Sequence, residues 1–232
     1  MTSPLQFRAA FRAGMGLALF ATATSCSRPQ TVPADTSAPT LRIPAPAMGT
    51  DGSRIEVQPV EWSAAPWSPA TAPRDWKYIV IHHTATSTGS VESIHQTHLM
   101  RRDADGNPWR GIGYHFVIGN GHGMPDGAVR PTFRWQDQID GAHAGDATYN
   151  ASGIGVCLVG YFEQDPPSAA QLEALAGLTQ SLSAGFDIPP QNIIGHDEVR
   201  STACPGRYFP MQELTQILSG EAQSFDAPAA VP

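Results

Sequence analysis

Tyr78-Ile79-Val80-Ile81 runs straight into His82-His83-Thr84. An aromatic residue and three β-branched ones, with no polar residue between them, predict a strand buried on both faces. Imidazoles directly at the end of such a strand are held rigidly where a cleft can open. Outward from this run, helices and strands alternate. Ser90 is placed to cap a helix through about Arg102, with Val91, Ile94, His98 and Leu99 at helical spacing on one face. Gly113 to Ile118 reads as a second strand that turns at Gly119-Asn120-Gly121, and Ile154 to Val159 as a third, buried one. Ser168 caps a helix through Ala184 whose stripe is Leu172, Leu175, Leu178 and Leu182, with Gly185 as its stop. Asn192 to Gly195 is a fourth strand, and Tyr208 to Leu218 a closing helix. This alternation predicts a mixed α/β domain over residues 73–219.

The chain of 232 residues, 41% hydrophobic and 15% charged, has room for one ordinary domain with extensions but not for two large ones. Its apolar content and lack of repeat exclude a collagen-like or fully disordered chain. Fourteen Lys and Arg against 21 Asp and Glu give a net charge of −7, which argues against nucleic acid as a partner. Cys26, Cys157 and Cys204 are too few and too scattered for a disulfide scaffold.

The first residues point to export. Arg8 and Arg12 form a short basic region, and Gly14 to Thr24 is uncharged, too short for a membrane span but the size of a signal-peptide core. Ala21-Thr22-Ala23 fits a simple cleavage site, whereas Ala23-Thr24-Ser25-Cys26 fits a lipobox with alanine in place of the usual leucine. Residues 1–25 are therefore expected to be a signal peptide of lipoprotein type, with a lipid on Cys26 as the one link to a membrane of the periplasm or cell envelope. Removing them takes two arginines and no acidic residue, leaving a mature chain at −9. Residues 26–72 are rich in Pro, Ala, Ser and Thr and read as a linker, within which Ile55, Val57, Val60, Trp62 and Trp67 form an arm able to pack on the domain. The tail, 220–232, reads as disordered.

The chemistry sits at strand ends. His82 follows the first strand, His196 follows the fourth, and Cys204 comes eight residues later in a loop held by Pro205 and Gly206. Two imidazoles and a thiolate suit Zn2+, and three protein ligands leave a fourth position open, as in catalytic rather than structural sites.

Five motifs occur in one order: Ile79-Val80-Ile81-His82-His83-Thr84-Ala85-Thr86, Gly113-Tyr114-His115-Phe116, Gly141-Ala142-His143-Ala144, Ser152-Gly153-Ile154-Gly155-Val156-Cys157-Leu158-Val159-Gly160, and Gly195-His196-Asp197-Glu198-Val199 through Ala203-Cys204-Pro205. Together, over residues 76–218, the chain resembles the zinc-dependent N-acetylmuramoyl-L-alanine amidases of the type 2 amidase and peptidoglycan-recognition-protein family. The resemblance implies a single mixed-sheet α/β domain flanked by helices. It also implies one Zn2+ per chain on His82, His196 and Cys204, with Tyr114 as the tyrosine beside the metal. In one branch a lysine sits two residues before the cysteine ligand; here that second catalytic position is Thr202, as in other catalytic members. His143 matches a groove histidine of the family and is expected to contact substrate or transition state.

The implied reaction is hydrolysis of the amide between the lactyl group of muramic acid and L-Ala of the stem peptide. Peptidoglycan or muropeptides are then the partners of a monomeric enzyme. Trp109, Tyr149 and Asn150 can line a groove for them, although Trp109 after Asn107-Pro108 can equally pin a loop. Glu198 is expected to support the metal ligands rather than to react. His83 reads as packed, His115 as facing away from Tyr114, His95 and His98 as structural, His122 as exposed and Cys157 as a small core residue.

Two other functions compete. A peptidoglycan-binding module without turnover is possible on the same fold, and the presence of Cys204 speaks for the enzyme. A cysteine hydrolase built on Cys204 and His196 leaves His82 unexplained, and Pro205 removes a backbone N–H that its oxyanion hole would use.

Overall fold

A computed structural model describes residues 67–69, 71–103 and 105–221. The signal segment, Cys26, the arm residues Ile55, Val57, Val60 and Trp62, and the tail from 222 onward lie outside the described residues.

The run at Tyr78 is strand β1 (Tyr78–His83), buried along almost its whole length. It pairs in parallel with β4 (Gly153–Leu158) on one side and β5 (Ile193–Gly195) on the other. β2 (Phe116–Ile118) adds in parallel to β4, and β3 (Val129–Pro131) closes that edge antiparallel to β2. The result is one mixed five-stranded sheet in the order β3-β2-β4-β1-β5. Because β1, β4 and β5 run in parallel, their C-terminal ends open on one edge, the position at which open α/β sheets bind ligands.

The sheet separates two cores. Ile79 and Ile81 face a large cluster with Leu175, Leu178 and Leu182 of α4 (Ala169–Phe186) and Leu214 of α6 (Met211–Ser219). On the other face Ile94 of α1 (Val91–Leu99) packs with Ile112, Val117, Met124 and Val159. α4 forms where its leucine stripe and capping box place it, with the Ser168 hydroxyl accepting from the Gln171 N–H. Trp67 of the arm is buried, edge-on to Phe116, and its carbonyl accepts the Trp135 indole N–H at 2.6 Å.

Several boundaries differ from expectation. α1 stops at Leu99, which is 40% exposed, rather than at Arg102, because the chain turns there with Met100 as its cap. Residues 113–115 are not part of β2. Gly113 instead donates its N–H to His98 Nδ1 at 3.0 Å, and its carbonyl accepts from Ala142 N–H at 3.0 Å. α6 begins at Met211 rather than Tyr208, whose N–H bonds to the Phe162 carbonyl instead. β3, α2 (Phe133–Gln136), α3 (Ala147–Ser152) and α5 (His196–Val199) had no sequence expectation.

Candidate metal centre

His82 lies at the C-terminal end of β1, opposite Cys157 of β4, and its side chain points to the face opposite Ile81. His196 begins α5 directly after β5, so the parallel pairing of β1 with β5 brings the two imidazoles together, ring centroids 4.5 Å apart. The loop after α5 returns Cys204, whose Sγ lies 3.7 Å from His82 Nδ1 and accepts the His83 N–H at 3.3 Å. Ligand atoms of His82, His196 and Cys204 all fall within 4.8 Å of one another, the one such cluster among the described residues.

This donor set fits zinc. A tetrahedral ion with nitrogen donors at about 2.0–2.1 Å and sulfur at about 2.3 Å spaces them by roughly 3.5 Å, so a small contraction of the cluster suffices. Burial, and the neighbouring imidazoles of His143 and His196, hold the pKa of His82 well below the usual range, and burial lowers that of His196. Both rings are therefore neutral, as a ligand must be. Burial pushes the Cys204 thiol up to about 12, opposed by the His83 N–H. That thiol needs a cation before it ionises near neutral pH.

The surroundings differ from one another in what they leave free. The Tyr114 ring lies 5.2 Å from that of His82, and its hydroxyl is placed beside Cys157. Burial raises its pKa well above 10, so the O–H keeps its proton. Thr202 is exposed, and its hydroxyl accepts the Cys204 N–H at 3.3 Å. Trp109 ends a row of rings: it stands edge-on to His98 at 5.3 Å, His98 lies 5.5 Å from Tyr114, and Tyr114 abuts His82. The fold brings His143 to the metal ligands rather than to an open groove. It is 8% exposed, Nδ1 lies 3.0 Å from His82 Nε2, and Nε2 lies 3.1 Å from the Gly153 carbonyl. Asn150 is turned inward too, its Oδ1 accepting the N–H groups of His143 and Ala144, each at 2.9 Å.

Other titratable side chains are structural. His83 points to the opposite face, between the rings of Tyr161 and Phe162. His115 accepts the Gly155 N–H at Nδ1 and donates to the Ile139 carbonyl from Nε2. Glu198 accepts the Gly195 N–H at 2.8 Å, which caps α5 and fixes where His196 starts. Sequence reasoning missed the Ala144 carbonyl, which lies 3.0 Å from His196 Nε2; a backbone group carries no residue-type signal.

Residues 72–207, more than half of the chain, match the family described as N-acetylmuramoyl-L-alanine amidase. The chain belongs to this amidase family. Human peptidoglycan recognition protein 3 is 33% identical over 147 residues, 62% of this chain and 39% of the human one. The peptidoglycan-recognition protein SC2 of Drosophila melanogaster is 35% identical over 133 residues, 56% of this chain and 67% of the fly protein. An N-acetylmuramoyl-L-alanine amidase of Sus scrofa is 31% identical over 159 residues, which span 62% of this chain and 24% of the pig protein. Among solved structures, the endolysin N-acetylmuramoyl-L-alanine amidase LysCS of Clostridium intestinale superposes with a TM-score of 0.52 at 29% identity, covering 62% of this chain and 84% of that one. The mixed sheet with flanking helices is thus the amidase fold, and this family includes both cleaving and recognising members.

Proposed function

We propose that the protein is a zinc-dependent N-acetylmuramoyl-L-alanine amidase that cuts the amide between the muramic acid lactyl group and L-Ala of the stem peptide. One observation carries this reading: His82, His196 and Cys204 converge at the C-terminal edge of the sheet as a group of three donors, the one such group among the described residues. Zinc, when bound, acts as a Lewis acid on the scissile carbonyl and supplies a nucleophile from water near neutral pH.

The chain's own residues do the rest. Tyr114 carries an O–H that stays protonated and lies beside the Cys157 sulfur, a weak acceptor. Exchanging that partner for the oxyanion that forms in the transition state strengthens the bond, and one such donor is worth about 3 kcal/mol. Thr202 is tied by its oxygen to the ligand loop, which leaves its proton for a substrate group beside Cys204. Trp109, half-buried at the outer end of the row, offers an aromatic face to the sugar or peptide flanking the scissile bond. Export to the periplasm or envelope, with a lipid on Cys26, puts the enzyme beside its substrate.

Zinc content and release of stem peptides from muropeptides, measured on the full chain beside Cys204→Ser, test the proposal. One zinc per chain with free stem peptides, both lost in the variant, is the expected result. Tight binding of peptidoglycan without cleavage by the wild type overturns it and leaves a recognition protein. A Cys26→Ser variant that still fractionates with membranes overturns the lipid anchor.

A further inference from the structure

We infer that His98 is a positioning residue for Tyr114: from α1 it fixes the backbone that carries this tyrosine and backs its ring, and so decides where the hydroxyl points. The inference deepens the site proposed above and rests on that reading for its bearing on turnover. Tyr114 stands outside the sheet. β2 begins at Phe116, and no strand pairing includes residues 112–114.

Side chains take the place of the ladder. His95 and His98 lie three apart on α1 and so share a face. Their Nδ1 atoms accept the consecutive N–H groups of Ile112, at 3.4 Å, and Gly113, at 3.0 Å. Arg134 Nε donates to the Ile112 carbonyl at 2.5 Å, and the Thr132 hydroxyl to that of Tyr114 at 2.7 Å. A Cβ on Gly113 would sit 2.2 Å from the Ala142 carbonyl oxygen, so the segment has no room to slide. His98 has a second hold as well. Its buried ring lies 5.5 Å from that of Tyr114, with Trp109 edge-on to it at 5.3 Å. Burial brings the pKa of His98 down to about 4, so at neutral pH the ring is uncharged and able to accept. α1 is itself anchored by its capping box at Ser90 and by Ile94 in the core. A donor serves a developing charge only if it is already in place, and a misplacement of about 1 Å can cost about 100-fold in rate.

NMR of the metal-free full chain tests the bond itself. A nitrogen–nitrogen coupling from Gly113 N to His98 Nδ1 across the hydrogen bond is expected in the wild type; its absence overturns the inference. Two variants test what the bond does to Tyr114. His98→Leu fills space without an acceptor, whereas the amide oxygen of His98→Asn can stand where Nδ1 stood. Both lose the ring, so the difference between them reads the bond. The Tyr114 Cζ resonance is expected to shift and broaden in His98→Leu and to stay near its wild-type position in His98→Asn. Equal spectra for the two variants overturn the inference; if His98→Leu does not fold, the coupling and an unmoved Tyr114 signal in His98→Asn decide it. Turnover adds a cycle. His98→Leu is expected to lower kcat by up to about 100-fold at unchanged zinc content, yet to cost little more in a Tyr114→Phe background. An equal loss in that background shows that His98 serves the fold rather than the hydroxyl, and overturns the inference. A wild type that releases no stem peptide sinks the amidase reading and leaves the coupling and the Tyr114 signal to decide this one.

Discussion

Cys157 and Cys204 are the same group in opposite settings. Cys157 is fully buried on β4 beside the Tyr114 hydroxyl, and burial pushes its thiol well above the usual range. Cys204 sits in a loop with its sulfur turned to His82 and a backbone N–H aimed at it. The first is inert packing beside a tyrosine, the second a candidate metal ligand. Replacing Tyr114 by Phe removes the proposed oxyanion donor without touching a ligand. Zinc content is expected to hold while kcat falls about 100–1000-fold; a variant with unaltered turnover rules the hydroxyl out. Gly155→Ala tests the packing around His143. Its methyl group would press on the His143 ring, and such overpacking costs about 1–3 kcal/mol. A lower melting temperature together with weaker zinc retention is the expected outcome, read by thermal unfolding and chelator competition.

At the scale of elements, length separates what the sequence announces from what it hides. α4 has a capping box, a leucine stripe and the left-handed Asp187 as its stop, and it forms within two residues of its predicted ends. Leu178 is fully buried in the middle of its stripe. Leu178→Ala is expected to cost about 2–5 kcal/mol with the zinc ligands intact, visible as a lower denaturation midpoint at unchanged zinc content. β3, α2, α3 and α5 have three to six residues each, too few for any periodicity to stand out. They exist because of tertiary partners. α3 hangs on the Asp146 cap and on the bonds of Asn150, and α5 on Glu198 reaching back to Gly195. Trp109, His143 and Asn150 could be singled out from the sequence as candidates. Their orientation could not: His143 meets His82 across 61 positions of chain.

At the scale of the molecule, the buried histidines make the fold sensitive to acid. Burial lowers the pKa of His98 to about 4 and that of His115 well below its ordinary value. An unfolded chain takes up these protons near pH 6.5. Between there and about 4 the unfolded state therefore binds more protons, and stability rises with pH. The contribution is complete above pH 6.5 and is lost as pH falls through the folded values. Thermal unfolding of the metal-free chain is expected to show a melting temperature that is level above neutrality and drops between pH 6.5 and 4, with a shallower drop in His98→Gln. A flat profile across that interval counts against it.

The sequence by itself determined the buried strand at Tyr78, the long helix α4, the mixed α/β class and the three ligand candidates. Each of these is written in a local run or in a motif with fixed spacing. The tertiary structure alone decided that two imidazoles on neighbouring parallel strands meet one thiol, that His143 and Asn150 turn inward to hold those imidazoles, and that the Tyr114 hydroxyl rests on Cys157. The reason is physical: hydrophobic burial and chain propensity act on residue type and can be read along a line, whereas hydrogen-bond partners and ring orientations depend on groups, some of them backbone carbonyls, that only folding brings within 3 Å.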